Sequence, residues 1–234
     1  MPARLRRPRH PFRWLAAALI TVVALAAAIP YAYIHVVEGK APAALAVSAP
    51  AAPAAATSSV DGTWTVVPGS QAGYRVGEVL AGQSTTAVGR TSAVTGQFTV
   101  AGDAVTRASF TVDLTKVKSD QSRRDAQFQG RIMDTAKYPN AVFVLTKPIP
   151  LGPLATAAGT QTVQASGTLQ LHGITKPVTV TVTLTVARSA NAVQVSGQIP
   201  VLFADYGIAN PSFAGFVTTQ DHGVVELLLS LKQA

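Results

Sequence analysis

The chain of 234 residues has no cysteine and only 13% charged residues, about half the roughly 25% of an average soluble protein. Disulfides, thiolate metal sites and thiol catalysis are therefore excluded. The net charge of +8 does not mark a nucleic-acid binder, because Arg4, Arg6, Arg7, Arg9 and Arg13 all precede Trp14, and from Val60 onward 13 Lys/Arg face 10 Asp/Glu, too even a balance for a basic binding face.

Residues 1–13 form a basic, cytoplasmic N-terminus. Residues 14–37, "WLAAALITVVALAAAIPYAYIHVV", hold no fixed charge, and at about 1.5 Å rise per residue they match a hydrocarbon core of roughly 30 Å. Arginines on one flank only predict an inside N-terminus and an exported remainder, with Trp14, Tyr31 and Tyr33 at the two interfaces. The alternative is a signal peptide cleaved near the small residues of "ALAAA"; the run is longer than the usual apolar region of about 7–15 residues, which favours a single-pass anchor. The Ala/Pro-rich residues 38–59 read as an extended, semi-rigid linker. A folded domain follows over 60–234.

In that domain the pattern turns to period two. Strands are expected over 63–68, 73–79, 88–100 and 105–114. Residues 119–134 break the alternation. There Phe128, Ile132 and Met133 share one helical side, Asp120 or Ser122 is placed to cap the start, and Arg123, Arg131 and Lys137 fall on the water side of a lid or plug. Strands resume over 141–146, 163–171, 178–186, 193–203 and 224–231. The clearest is "VTVTVTLTV", which alternates strictly with β-branched types at every position but Leu184. Eight or nine antiparallel strands make a barrel or a sandwich, and closure removes exposed edges. About eight strands leave an interior for side chains or one small ligand. Inward Ala165, Gly167 and Gly197 either leave room for a cavity or mark bulges that bend strands.

The ordered set "GTWTVVPGSQAGYRV", "VTGQFTVAGD", "SRRDAQFQGRIMDTAKYPNAVF", "GTLQLHGITKPVTV" and "ADYGI" resembles the YceI-like family of polyisoprenoid-binding proteins. Its most specific parts are Arg124-Asp125, Lys137-Tyr138-Pro139 and the turn holding His172-Gly173. The resemblance implies an all-β fold, an eight-stranded antiparallel lipocalin-like barrel with one inserted helix, in the periplasm or at the cell surface. It also implies an isoprenoid chain threaded into the pore. Two positions depart from the family pattern: Ser70-Gln71 stand near its usual His-Ser pair, and Phe203 stands where an arginine is usual. Both changes make the pore less polar.

The titratable groups invite no chemistry. His172 and His222 sit in strand-entry turns, no histidine pair has metal-ligand spacing, and no serine has a nucleophile-elbow context. Arg124 and Asp125 read as an ion pair clamping the helix to the barrel. Phe98, Phe110, Phe128, Ile132, Met133, Phe143, Leu169, Phe203, Tyr206 and Phe216 are the candidate pore lining. Such a wall suits a ligand that gains about 0.8 kcal/mol per buried methylene. The expected function is non-enzymatic binding of an isoprenoid or quinone-like lipid, without metal or cofactor. The expected partners are that lipid and the cell membrane; a protein partner and the oligomeric state, a dimer included, stay open. The rivals are an interaction module with a filled barrel and a lipid-modifying enzyme using His172.

Overall fold

A computed structural model describes residues 11–32, 41–47, 59–80, 82–187, 192–212 and 217–234. Helix α1 (Pro11–Ala32) comes first, and its side chains from Trp14 to Ala26 are exposed. Among the described residues no helix is long and apolar enough to cross a membrane. Residues 33–37 of the expected span lie outside the described residues, as do Phe216 and most of the expected linker.

The strands are β1 (Gly62–Val66), β2 (Gln71–Leu80), β3 (Gln83–Thr91), β4 (Val94–Ala101), β5 (Ala104–Asp113) and β6 (Lys118–Ser119), then, after helix α2 (Ser122–Gln127), β7 (Asn140–Leu145), β8 (Ile149–Pro150), β9 (Gly159–Leu171), β10 (Ile174–Ala187), β11 (Ala192–Leu202), β12 (Val217–Thr219) and β13 (His222–Gln233). Eight of them form a closed antiparallel ring in the order β1-β4-β5-β7-β9-β10-β11-β13, closed by the pairing of β13 with β1. On the edge away from β11, β13 serves two neighbours. Its residues Val224 to Leu228 pair with β2, and Leu231 to Gln233 pair with β1. The hairpin of β2 and β3, flanked by β12 and β6, therefore extends the wall at one end of the barrel.

The alternation explains both faces of β10. Val180, Val182, Leu184 and Val186 are buried, while on the other face Thr185 and Thr183 meet Thr160 and Thr162 across the ladder at 3.0 and 3.2 Å. β9 and β10 join through His172 and Gly173, at φ of 49° and 76°, as a tight hairpin turn requires. The strand expected over 88–100 is two strands. At Ser92-Ala93 the chain changes partner, with the Asp113 N–H donating to the Ala93 carbonyl at 3.0 Å, so that β3 stays with β2 while β4 joins β1 and β5.

The inserted segment is also shorter than the pattern suggested. α2 has six residues, and the chain then widens into a π turn over Phe128–Ile132, with the Met133 N–H reaching the Phe128 carbonyl at 2.9 Å. Neither Asp120 nor Ser122 caps it. The preceding residue is Gln121, without a side-chain cap, and Asp125 instead accepts from the Ser119 N–H at 2.7 Å and its hydroxyl at 2.8 Å.

Residues 41–47 lie against the outer wall of the barrel. The Leu45 N–H donates to Glu226 at 3.2 Å, the Arg75 guanidinium donates to the Pro42 carbonyl at 2.7 Å, and that of Arg90 donates to the Ala43 carbonyl. This part of the linker is a strap on the domain.

Candidate functional site

The interior of the barrel is divided into two unequal spaces. At the end closed by β1, Trp64 stacks on Phe98 with ring centroids 6.1 Å apart and donates its indole N–H to the Val60 carbonyl at 2.8 Å. Leu229 and Leu231 are each 1% exposed beside them. At the other end, under α2, lies a cavity of about 750 Å³. That volume is in the range of drug-sized ligand pockets.

Strand alternation builds the walls of this cavity. Ala72 and Tyr74 of β2, Val112 of β5, Ala141 of β7, Val201 of β11 and Val225 of β13 point inward. Leu114, Val117, Phe128, Ile132 and Met133 roof it. Tyr74 and Phe128 hold roof to wall, their rings stacked with centroids 5.0 Å apart and planes 12° apart. The Tyr74 ring lies over Gly89, where a Cβ would collide with it. Burial pushes the Tyr74 phenol well above its ordinary range, against a smaller downward pull from Arg124.

The rim is polar: Glu78, Gln121, Arg123, Arg124 and Gln127 line the mouth. Arg124 reaches Asp120 and, at 3.9 Å, Glu78 of β2. Asp125 pairs with Lys118 at 3.6 Å. The adjacent arginine and aspartate thus clamp the lid to β2 and β6 through other partners, and not through each other. Arg123 is exposed, as expected, yet it stands on the rim. Arg131 and Lys137 are exposed as well, the former donating to the Pro211 carbonyl at 3.3 Å.

Of the candidate lining residues, Phe128, Ile132, Met133 and Phe203 border the large cavity. Phe203 makes its part of that wall apolar. Phe98, Phe110 and Phe143 border a second space of only about 50 Å³ further in. Leu169, in register with Phe143, is 3% exposed among the core residues. Tyr206 is buried at the turn after β11, where its carbonyl accepts from His172 Nδ1 at 3.0 Å. The His172 ring meets Tyr138 edge-on at 4.8 Å. Gly173 leaves the space that the Tyr138 ring fills, and the Pro139 carbonyl accepts the Leu114 N–H at 2.8 Å. The four motif residues Tyr138, Pro139, His172 and Gly173 fasten the β9–β10 turn to the foot of the lid. Ser70 locks the end of β1 to β13 by donating to the Val67 carbonyl at 2.9 Å and accepting the Ser230 N–H at 3.0 Å.

Sequence reasoning missed Tyr74, Val201 and Val225 as walls and Glu78 as a rim group. Period two does place Tyr74 on the inward side with Ala72, but which stretch of each strand faces the open end depends on register. Among the described residues no group of three His, Asp or Glu is placed to hold a metal ion.

A family model described as a YceI-like domain matches residues 64–231. Among curated proteins none matches. Among solved structures, a polyisoprenoid binding domain from Saccharophagus degradans implicated in plant cell wall breakdown is similar at 18% identity, with a TM-score of 0.59, over 73% of this chain and 98% of that one. Burkholderia cenocepacia BcnA is similar at 20% identity, with a TM-score of 0.50, over 67% of this chain and 95% of that one.

Proposed function

Because the chain belongs to the YceI-like family over residues 64–231, we propose that its barrel binds one apolar lipid of the isoprenoid or quinone class, carried on the outer side of the cell membrane. The observation that supports this reading is the largely apolar cavity of about 750 Å³ beneath a roof stacked on its wall through Phe128 and Tyr74. A ligand there would lay its chain against Val112, Val201 and Val225 and turn its polar end to the rim at Arg123, Gln127 and Glu78. Among the described residues of that lining there is no histidine and no serine. His172 is engaged with Tyr206 and Tyr138, away from the cavity.

The export part of the proposal rests on the one-sided arginines and on the exposed Trp14, Leu15, Leu19 and Ile20 of α1. Such a face belongs in a bilayer or in a cleaved targeting helix. Sequencing the N-terminus of the protein from cells separates those two, and recovery of an uncleaved chain in the cytosol overturns export. Native mass spectrometry of the full chain, purified in mild detergent, tests the ligand. A retained apolar mass that polar solvent does not remove is expected. A chain that stays empty and fails to take up added geranylgeraniol overturns the proposal.

A further inference from the structure

The large cavity ends within the barrel. Along four strands the side chain two positions beyond a cavity wall residue belongs to the small inner space: Phe110 follows Val112 on β5, Phe143 follows Ala141 on β7, Ile199 follows Val201 on β11, and Leu227 follows Val225 on β13. Phe110 and Phe143 are direct register partners. They therefore stand at one level, one layer inward of the cavity walls Val112 and Ala141, and border the space of about 50 Å³. The pair is held in place. A Cβ on Gly167 would lie 2.5 Å from Phe143 Cε2 and Cζ, and one on Gly96 would lie 2.7 Å from Phe110 Cδ1. Each ring occupies the space that a glycine leaves on the neighbouring strand.

We infer that Phe110 and Phe143 form a floor that sets the length of chain the barrel encloses, with Phe143 the residue that determines the limit. This rests on the reading of the barrel as a lipid binder. At roughly 30 Å³ of liquid volume per heavy-atom-sized group, the share of one water, a cavity of 750 Å³ holds about 25 non-hydrogen atoms. That is about five isoprene units. A longer chain leaves its excess in water at the mouth and gains nothing from it. Removing the Phe143 ring joins the inner space to the cavity and adds room for about one further unit by the same measure.

The test is affinity against chain length, using the full-length protein and prenyl alcohols from three units (farnesol) to nine (solanesol), read by displacement of an environment-sensitive fluorescent probe. The wild type is expected to gain several-fold per unit up to about five units and then level off. Phe143→Ala moves that break about one unit longer. Ala141→Phe, which grows into open cavity above the floor and does not empty the core, moves it about one unit shorter and keeps the test standing if Phe143→Ala fails to fold. Affinity that climbs without a break to solanesol, or a break that neither variant moves, overturns the floor while leaving lipid binding intact. Failure of every alcohol to displace the probe overturns the binding reading itself, and the floor with it.

Discussion

Phe128 and Arg123 stand five positions apart on the lid with opposite duties. Phe128 is 9% exposed and stacked on Tyr74, whereas Arg123 is exposed at the rim. Phe128→Ala should cost about 3 kcal/mol, the low end for a buried phenylalanine because the ring already borders empty space, and should loosen the lipid. Arg123→Ala should change stability by less than about 0.5 kcal/mol. Thermal melting of both variants checks this, and equal shifts would mean that the faces are misassigned. Tyr74 adds a pH dependence. Its folded-state pKa is raised, chiefly by burial, so its contribution to stability is complete below the unfolded value of about 10 and fades as pH climbs past it. Tyr74→Phe should flatten the alkaline fall in melting temperature, and an unchanged slope above that pH would show that the buried phenol is not its source. The inward glycines show where single-residue reading stopped. Gly167 offered either room or a bend, yet it seats the Phe143 ring. The two lie on neighbouring strands, offset diagonally, so only the register reveals the pair.

Among the elements, the long alternating strands were legible because their period is local. β9, β10 and β11 follow the expected patterns, and the ring of eight is the expected architecture. The division of the 88–100 run was not, since the chain changes partner at Ser92-Ala93 and the inward side shifts by one position there, from Ala87 and Gly89 in β3 to Val94 and Phe98 in β4. The strap was hidden for another reason. Residues 41–47 bind largely through backbone atoms, which look alike in every sequence, and their anchor is a carboxylate far along the chain. Glu226 is fully buried, 2.8 Å from Arg90 and 4.0 Å from Arg75. Removing one member of a buried ion pair costs about 3–5 kcal/mol, so Glu226→Ala should cost about 3 kcal/mol, these arginines being partly solvated. It should also speed hydrogen exchange at the Leu45 amide. Glu226→Gln keeps an acceptor for that amide and should leave its exchange slow; rapid exchange in wild type would show that the strap does not hold.

At the scale of the whole molecule the barrel is built in two parts with different tasks. The end around Trp64, Phe98, Leu229 and Leu231 is a packed core, and the other end encloses about 750 Å³ beneath a lid. Packed side chains gain dispersion contacts that the lining of a void forgoes, and the least stable segments are those with few buried apolar contacts. Global unfolding should therefore govern exchange in β9, β10 and β11, whereas local opening should govern it in β2, β3, α2 and the π turn over Phe128–Ile132. A ligand that binds only the closed form stabilises it by about 2.7 kcal/mol at a hundred times its Kd. Geranylgeraniol at that excess should slow exchange at the amides of α2 and of Phe128–Ile132 by up to about a hundredfold, because each opening must first expel the lipid. Protection confined to β9 and β10, with the lid still exchanging freely, would mean that the chain enters by some route other than the mouth bordered by Arg124 and Glu78.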